Sequence, residues 1–144
     1  FVQILDGDNI RSGISNNLDF SSSDRFENIR RISEVSKLFV NSGIITINCF
    51  VSPSKEIRSE AKKIIGKENF VGIFVNTDIE ICEERDTKGL YKKARKGEIK
   101  NFTGISSKFE RPDSTFFEID ATKNIAETLN DLLKIVLPLI EKKK

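Results

Sequence analysis

The 144-residue chain contains no histidine, methionine or tryptophan, and it has two cysteines. Without histidine, the chain cannot use a histidine general base or a histidine-ligated metal. Cys49 lies in an apolar run and Cys82 in a helix-like run. Because the cysteines lack the close spacing of a metal site, we expect two buried thiols and neither a disulfide nor a metal centre. Since methionine is absent, we expect the chain to be part of a longer protein and to begin inside a sheet.

Long hydrophobic runs and a strong net charge are also missing. No apolar stretch approaches the roughly 20 residues that cross a bilayer, and there is no signal segment, so we expect a soluble cytoplasmic protein without a membrane partner. The net charge of +2 does not favour nucleic acid as a partner. With 38% hydrophobic residues, the chain suits one compact domain over residues 1–144.

Apolar runs alternate with segments of helical periodicity along the chain. Strands are predicted at residues 1–5, 44–51, 70–75 and 116–120, and helices at 24–43, 57–66, 78–85 and 125–140. Asp24 and Glu27 resemble a helix cap with its capping-box partner, and Pro138 is predicted to kink or end the last helix. The apolar runs at 44–51 and 70–75 are typical of strands buried on both faces. This alternation predicts an α/β fold with a mostly parallel sheet in three layers.

Two carboxylates and a guanidinium follow the first predicted strand directly. They are Asp6, Asp8 and Arg11. Ligands of open parallel sheets bind outside the carboxyl ends of the strands, so these charges indicate a ligand or metal site. The alternative is an ordinary polar turn between a strand and a helix.

A basic segment at residues 88–100 holds six cations and one carboxylate. Such a cluster can close over a polyphosphate and offset the charge of a transferring phosphoryl group, with Gly89, Gly97 and Gly104 as hinges of a lid. A solvated charged helix is the alternative. A nucleic-acid surface is a weaker one, because the rest of the chain does not extend the patch.

Phe20, Arg25 and Asn28 form a second candidate cluster at the start of a predicted helix. The ring can stack on a purine, the guanidinium can bind a phosphate or sulfate, and the carboxamide can donate and accept hydrogen bonds. This combination favours a nucleotide. In the alternative interpretation, Phe20 is a hydrophobic staple and Arg25 a surface cation.

The chain resembles the adenylylsulfate kinases over residues 5–120. The matching segments are LDGDNIR at 5–11, DRFENIRRI at 24–32, FVSP at 50–53, ERD at 84–86, KGLYKKAR at 88–95, GEIK at 97–100 and FTGI at 102–105. The resemblance implies the P-loop kinase fold. It also implies transfer of the ATP γ-phosphoryl group to the 3′-hydroxyl of adenosine 5′-phosphosulfate, giving 3′-phosphoadenosine 5′-phosphosulfate and ADP, with Mg²⁺ as cofactor.

The resemblance also assigns roles to residues of this chain. Asp6 is the implied catalytic residue, near the accepting hydroxyl and the Mg²⁺ ion. Phe20 and Phe102 are implied to stack on the substrate adenine. The complete implied set for adenylylsulfate is Asp8, Arg11, Phe20, Arg25, Asn28, Val51, Ser52, Lys88, Asn101 and Phe102, and Arg85 is implied to face ATP. Asn124 is a second ATP candidate only because it follows the last predicted strand.

One feature of the resembled family is missing from the 144 residues, namely the phosphate loop Gly-x-x-x-x-Gly-Lys-Ser/Thr. We expect this loop in a segment that precedes Phe1. Without the loop, the 144 residues should not catalyse the reaction. Two alternatives remain open: a catalytically silent nucleotide-binding domain of a larger sulfate-assimilation protein, and another small-molecule P-loop kinase. The expected macromolecular partners are a second copy of the chain or a fused ATP sulfurylase domain.

Overall fold

The computed structural model describes residues 1–141, which fall into two compact units. Unit 1 comprises Phe1–Phe70 with Ser107–Arg111, and unit 2 comprises Val71–Ser106 with the residues from Pro112 onward. Residues 142–144, the end of the predicted domain, lie outside the described residues. No helix within residues 1–141 is long and apolar enough to cross a membrane.

Unit 1 is built on one pair of parallel strands and the helices that follow them. Its elements are β1 (Val2–Asp6), α1 (Gly7–Ser12), α2 (Ser22–Asn41), β2 (Ile45–Cys49), α3 (Lys55–Ile65) and a 3₁₀ turn (Lys67–Asn69). The register runs from Val2 opposite Ile45 to Asp6 opposite Cys49, so both strands end at one edge. Helices α2 and α3 pack together through a core of Ile29, Ile57 and Ala61, which Phe26, Phe50 and Phe70 border.

Unit 2 repeats the parallel pairing. Its elements are β3 (Ile73–Asn76), α4 (Ile79–Arg85), α5 (Leu90–Arg95), β4 (Phe117–Asp120) and α6 (Ile125–Glu141). Strands β3 and β4 pair from Ile73 opposite Phe117 to Asn76 opposite Asp120, and α6 lies against β4. Helix α6 continues through Pro138, so the proline does not end it. The predicted alternation of parallel strands and helices is confirmed.

Two predictions about burial are wrong. Ile47 in β2 is 47% exposed and Val75 in β3 is 61% exposed, although both segments were expected to be buried on both faces. Each strand has one neighbour among the described residues, so each pair lacks the flanking strands that bury a central strand. Both cysteines are free thiols, but the prediction that they are buried is wrong: Cys49, at the end of β2, is exposed, and Cys82 is half-buried.

The start of α2 also differs from its prediction. Ser21 is the N-cap, since its hydroxyl oxygen accepts the Asp24 N–H at 3.1 Å and its O–H donates to the Asp24 carboxylate at 2.7 Å. Asp24 therefore occupies the third helical position, where its carboxylate accepts the hydroxyl of the Ser21 cap. The expected cap at Asp24 with Glu27 as its partner is wrong, because the run of serines already satisfies the first turn.

Removal of the α2 cap tests this assignment. We expect Ser21→Ala to lower the free energy of unfolding by about 1 kcal/mol, because the Asp24 N–H loses its acceptor. Ser22→Ala, at an exposed position in the first turn of the same helix, is the matched control and should leave stability nearly unchanged. Urea unfolding followed by circular dichroism measures both variants. Equal losses would contradict the assignment of Ser21 as the cap.

Candidate nucleotide-binding site

Asp6 lies at the carboxyl end of β1 and caps α1. Its backbone is extended, and its Oδ1 accepts the N–H groups of Asp8 at 3.0 Å and Asn9 at 3.3 Å. Both hydrogen bonds go to Oδ1, so Oδ2 can accept from a ligand hydroxyl or bind a cation. The cap thus fixes a carboxylate at the sheet edge where ligands of parallel sheets bind. The capping itself is the geometry of an ordinary strand-to-helix turn, and it leaves Oδ2 for the predicted ligand.

Phe20 is brought together with Arg11 and Arg25, as the sequence predicted for Arg25. The Arg11 guanidinium carbon lies 4.4 Å from the ring centroid and that of Arg25 lies 5.3 Å from it. Arg25 Nε also donates to the Phe20 carbonyl at 3.1 Å. Burial lowers the pKa of Arg25 below its ordinary value, and the nearby charge of Arg11 lowers it further. Two guanidinium groups next to a 53% exposed ring make a surface suited to an anion with an aromatic base.

Asn28 lies one helical turn after Arg25 and is 3% exposed. Its Oδ1 has no hydrogen-bond partner among the described residues. A buried amide oxygen is costly to leave unpaired, so this atom needs a donor such as a ligand hydroxyl or a water molecule. The buried oxygen of Asn28 is therefore consistent with its predicted role towards a sugar.

Val51 and Ser52 follow β2, and a side chain of α3 holds this end of the strand through hydrogen bonds. Arg58, 7% exposed, donates to the Ser52 carbonyl and to the Glu110 carbonyl, each at 2.7 Å. The Glu110 carboxylate in turn accepts the Lys55 N–H at 2.7 Å, and this bond lowers the pKa of Glu110. Sequence reasoning missed Arg58 and Glu110, because nothing in the local pattern distinguishes them from other charged residues.

The basic segment of unit 2 forms the short helix α5 on a fixed start. Gly89 takes a left-handed backbone (φ 65°), and Asp86 accepts the N–H groups of Tyr91 and Lys92, both at 3.0 Å. Ala94 is buried, whereas Lys92 and Lys93 are exposed. The buried Ala94 and the exposed lysines give α5 one inward and one charged outward side.

Phe102 is held in unit 2 by Tyr91. The ring centroids lie 5.0 Å apart in an edge-to-face arrangement with an interplanar angle of 73°. Burial is the main cause that raises the pKa of Tyr91 to about 12, and a hydrogen bond with Cys82 is the next. The phenol is therefore neutral at physiological pH. Asn101, just before Phe102, has a positive φ of 56°. The ring predicted to stack on adenine is thus supported by an aromatic neighbour.

Arg85 and Asn124 both lie near the carboxyl end of β4. Arg85 Nη1 donates to the Ala121 carbonyl at 2.7 Å, and Nη2 donates to the Thr122 carbonyl at 3.2 Å. Asn124 Oδ1 accepts the Glu127 N–H at 3.0 Å, as a cap at the start of α6 does. The structure therefore brings the two predicted ATP residues to one loop. Lys88 is exposed between α4 and α5.

No cluster of three or more acidic or cysteine side chains that could hold a metal occurs within residues 1–141. Mg²⁺ in phosphoryl-transfer sites is bound through one or two carboxylates, substrate phosphates and water, so a large cluster is not required. The Oδ2 atom of Asp6 fits this mode, since neither capping hydrogen bond involves it.

Parallel strands that carry acidic, basic and aromatic residues at their ends are typical of α/β proteins that bind nucleotides. The model of the adenylylsulphate kinase family matches residues 1–120. The chain is 62% identical over 142 residues to the adenylyl-sulfate kinase of Bacteroides thetaiotaomicron, covering 98% of this chain and 71% of that protein. For the adenylyl-sulfate kinase of Phocaeicola vulgatus the identity is 58%, with 98% and 70% covered. The chain belongs to the adenylylsulphate kinase family.

Solved structures agree with this assignment and confirm the predicted P-loop kinase fold. The Mycobacterium tuberculosis APS kinase in complex with AMPPNP and APS is 39% identical, with a TM-score of 0.87 over 96% of this chain and 79% of that chain. A hexameric APS kinase from Thiobacillus denitrificans is 26% identical, with a TM-score of 0.64 over 95% of this chain and 22% of that chain.

Glu27 connects two arginines on α2. Its carboxylate accepts hydrogen bonds from Arg30 at 2.7 and 2.9 Å and from Arg31 at 2.9 Å. These hydrogen bonds lower the pKa of Glu27 from 4.5 to about 2, and the bond from Arg30 contributes the most. Ionised Glu27 therefore stabilises the fold above pH 4.5, and this contribution is lost as the pH falls towards about 2.

Glu27→Gln tests this pH dependence. We expect the variant to be less stable than the unmodified protein near neutral pH, and the difference to shrink as the pH falls below about 4.5. Urea unfolding at several pH values between about 6 and 3 measures it. Glu34→Gln, at an exposed position of the same helix, is the control and should show a smaller change. A Glu27→Gln difference that is constant across this pH range would reject the arginine pair as its cause.

Proposed function

We propose that the protein transfers the γ-phosphoryl group of ATP to the 3′-hydroxyl of adenosine 5′-phosphosulfate. The products are 3′-phosphoadenosine 5′-phosphosulfate and ADP. The family match over residues 1–120 supports this reaction, and the fixed carboxylate of Asp6 at the end of β1 is the structural observation that carries it.

Asp6 is the proposed catalytic residue. Its Oδ2 accepts the hydrogen of the 3′-hydroxyl, which orients the oxygen for attack and can take up its proton. Phosphoryl transfer depends mainly on positioning and on neutralising charge, so an immobile carboxylate suits the role. We propose Mg²⁺ as the cofactor of ATP, with Asp6 as its protein ligand. When bound, the ion offsets the charge of the transferring group.

Unit 1 supplies the larger part of the proposed adenylylsulfate site. The Phe20 ring stacks on adenine, and Arg11 and Arg25 bind the anionic phosphosulfate. The unpaired Oδ1 of Asn28 accepts from a ribose hydroxyl. Asp8, Val51 and Ser52 complete this set at the ends of β1 and β2.

Unit 2 carries the other residues that we propose for adenylylsulfate on the strength of the family match. They are Phe102, whose ring is supported by Tyr91, together with Lys88 and Asn101. Arg85 uses two N–H groups on backbone carbonyls, and the remaining guanidinium donors can bind ATP. Asn124 lies in the same loop and is the other proposed ATP contact.

We also propose a cytoplasmic location and assembly beyond a single chain. The two free thiols are consistent with a reducing compartment. We propose that the chain forms a homodimer or is fused to an ATP sulfurylase domain. The hexameric Thiobacillus denitrificans structure, of whose chain this one covers 22%, shows that a related domain occurs in a much longer polypeptide.

ADP release tests the reaction directly, and it is measured on the natural full-length protein because the 144 residues contain no Gly-x-x-x-x-Gly-Lys-Ser/Thr loop. With ATP and Mg²⁺ present, we expect ADP to form only when adenosine 5′-phosphosulfate is added. Adenosine 5′-monophosphate, which lacks the sulfate, is the control acceptor and should give far less ADP. Release that is independent of the acceptor, or absent with both, would reject the proposed reaction.

In the same assay, Asp6→Asn isolates the carboxylate charge from the cap. Asparagine is an equally good N-cap, so the variant should keep its melting temperature. We expect kcat to fall about 100-fold or more, with little change in KM for adenylylsulfate. An unchanged kcat would remove Asp6 from the catalytic role.

Phe20→Leu tests the stacking contact. Leucine keeps an apolar side chain but loses the ring face, so we expect KM for adenylylsulfate to rise about fivefold, or roughly 1 kcal/mol, while KM for ATP is unchanged. Phe39→Leu, half-buried near the end of α2, is the matched control and should affect neither constant. An equal rise of both constants in Phe20→Leu would contradict stacking on the adenylylsulfate base.

A further inference from the structure

The segment of residues 13–20 joins α1 to α2 and carries Phe20 at its end. It contains turns, including a hydrogen bond from the Leu18 N–H to the Ser15 carbonyl at 3.1 Å, but neither helix nor strand. A segment without regular structure needs other contacts to hold one conformation. Side-chain bonds from the two flanking helices provide them.

We propose that Arg31 is a positioning residue for the adenylylsulfate site, which it orders by fixing the segment of residues 13–20. This inference rests on the proposed function. Arg31 Nη1 donates to the Ile14 carbonyl at 2.9 Å and to Asn17 Oδ1 at 2.8 Å. Its Nε donates to Glu27 at 2.9 Å, so the guanidinium is held on both sides. The side chain is 26% exposed and is thus largely withdrawn from competing water.

The conformation of the segment in turn fixes Arg11 and Phe20, the residues that face the proposed ligand. Arg11 Nη1 donates to the Leu18 carbonyl at 3.2 Å and to the Asp19 carbonyl at 3.0 Å. The same guanidinium lies over the Phe20 ring. A shift of the segment at Ile14 moves the acceptors of Arg11 and the backbone of Phe20 together. Arg31 therefore acts on the substrate through the segment and without touching it.

Arg30 provides a matched comparison on the same helix. It binds the same carboxylate of Glu27, at 2.7 and 2.9 Å. Within residues 1–141, its recorded hydrogen bonds go to Glu27 and not to the segment of residues 13–20. Substitution of either arginine removes one hydrogen-bond partner of Glu27. Only the substitution of Arg31 also removes the hydrogen bonds to the segment of residues 13–20. The difference between the two variants isolates the proposed role.

Steady-state kinetics on the natural full-length protein test the role. We expect Arg31→Ala to raise KM for adenylylsulfate about tenfold, with kcat and KM for ATP unchanged, because the binding surface is displaced while the carboxylate of Asp6 is not. Arg31→Lys should fall between the unmodified protein and Arg31→Ala, since lysine keeps the charge but not the planar fork. Arg30→Ala should leave KM for adenylylsulfate unchanged. An unchanged constant in Arg31→Ala, an equal rise for ATP, or an equal effect of Arg30→Ala would overturn the proposal.

Hydrogen exchange supplies a readout that does not depend on activity. The amides of Ser15, Asn16 and Leu18 are hydrogen-bonded within or next to the segment. We expect their exchange to accelerate in Arg31→Ala and not in Arg30→Ala. Unchanged exchange in Arg31→Ala would overturn the proposal even if the enzyme is active. If the unmodified protein releases no ADP, the proposed function fails, while the exchange experiment still decides whether Arg31 orders the segment.

Discussion

Parallel pairing of β1 with β2 is the constraint on which unit 1 depends. It places the ends of both strands at one edge, with Asp6 opposite Cys49. From this edge α1 begins on the Asp6 carboxylate, and the chain after β2 is fixed by Arg58. The pairing is made by backbone groups, so the position of the acid depends little on side-chain packing. The proposed catalytic group is thereby attached to a hydrogen-bonded strand end.

Charge in unit 1 falls into two groups of arginines. Glu27 neutralises part of the charge of Arg30 and Arg31, whereas Arg11 and Arg25 lie next to each other beside the Phe20 ring. Burial lowers the pKa of Arg25, and the charge of Arg11 lowers it further. In the proposed site, a bound phosphosulfate reduces the repulsion between the two guanidinium groups.

Sequence reasoning predicted the strands, the main helices and the grouping of Phe20 with Arg25, because each depends on local periodicity or short spacing. It failed where contacts join distant residues. The bond from Arg58 to Glu110 spans 52 positions, and no local pattern reveals it. The cap at Ser21 was missed because Asp24 offered an equally good local signal. Burial of Ile47 was overestimated, since an apolar run does not show how many strands flank it.

The two guanidinium groups over Phe20 have a consequence for selectivity. A base that stacks on a face covered by a guanidinium must displace it, and the freed cation then needs an anion nearby. A ligand with an anionic group next to its base supplies a new partner for the displaced guanidinium, whereas a neutral nucleoside supplies none. In the proposed site, selection against nucleosides thus follows from a contact that the protein makes before any ligand binds.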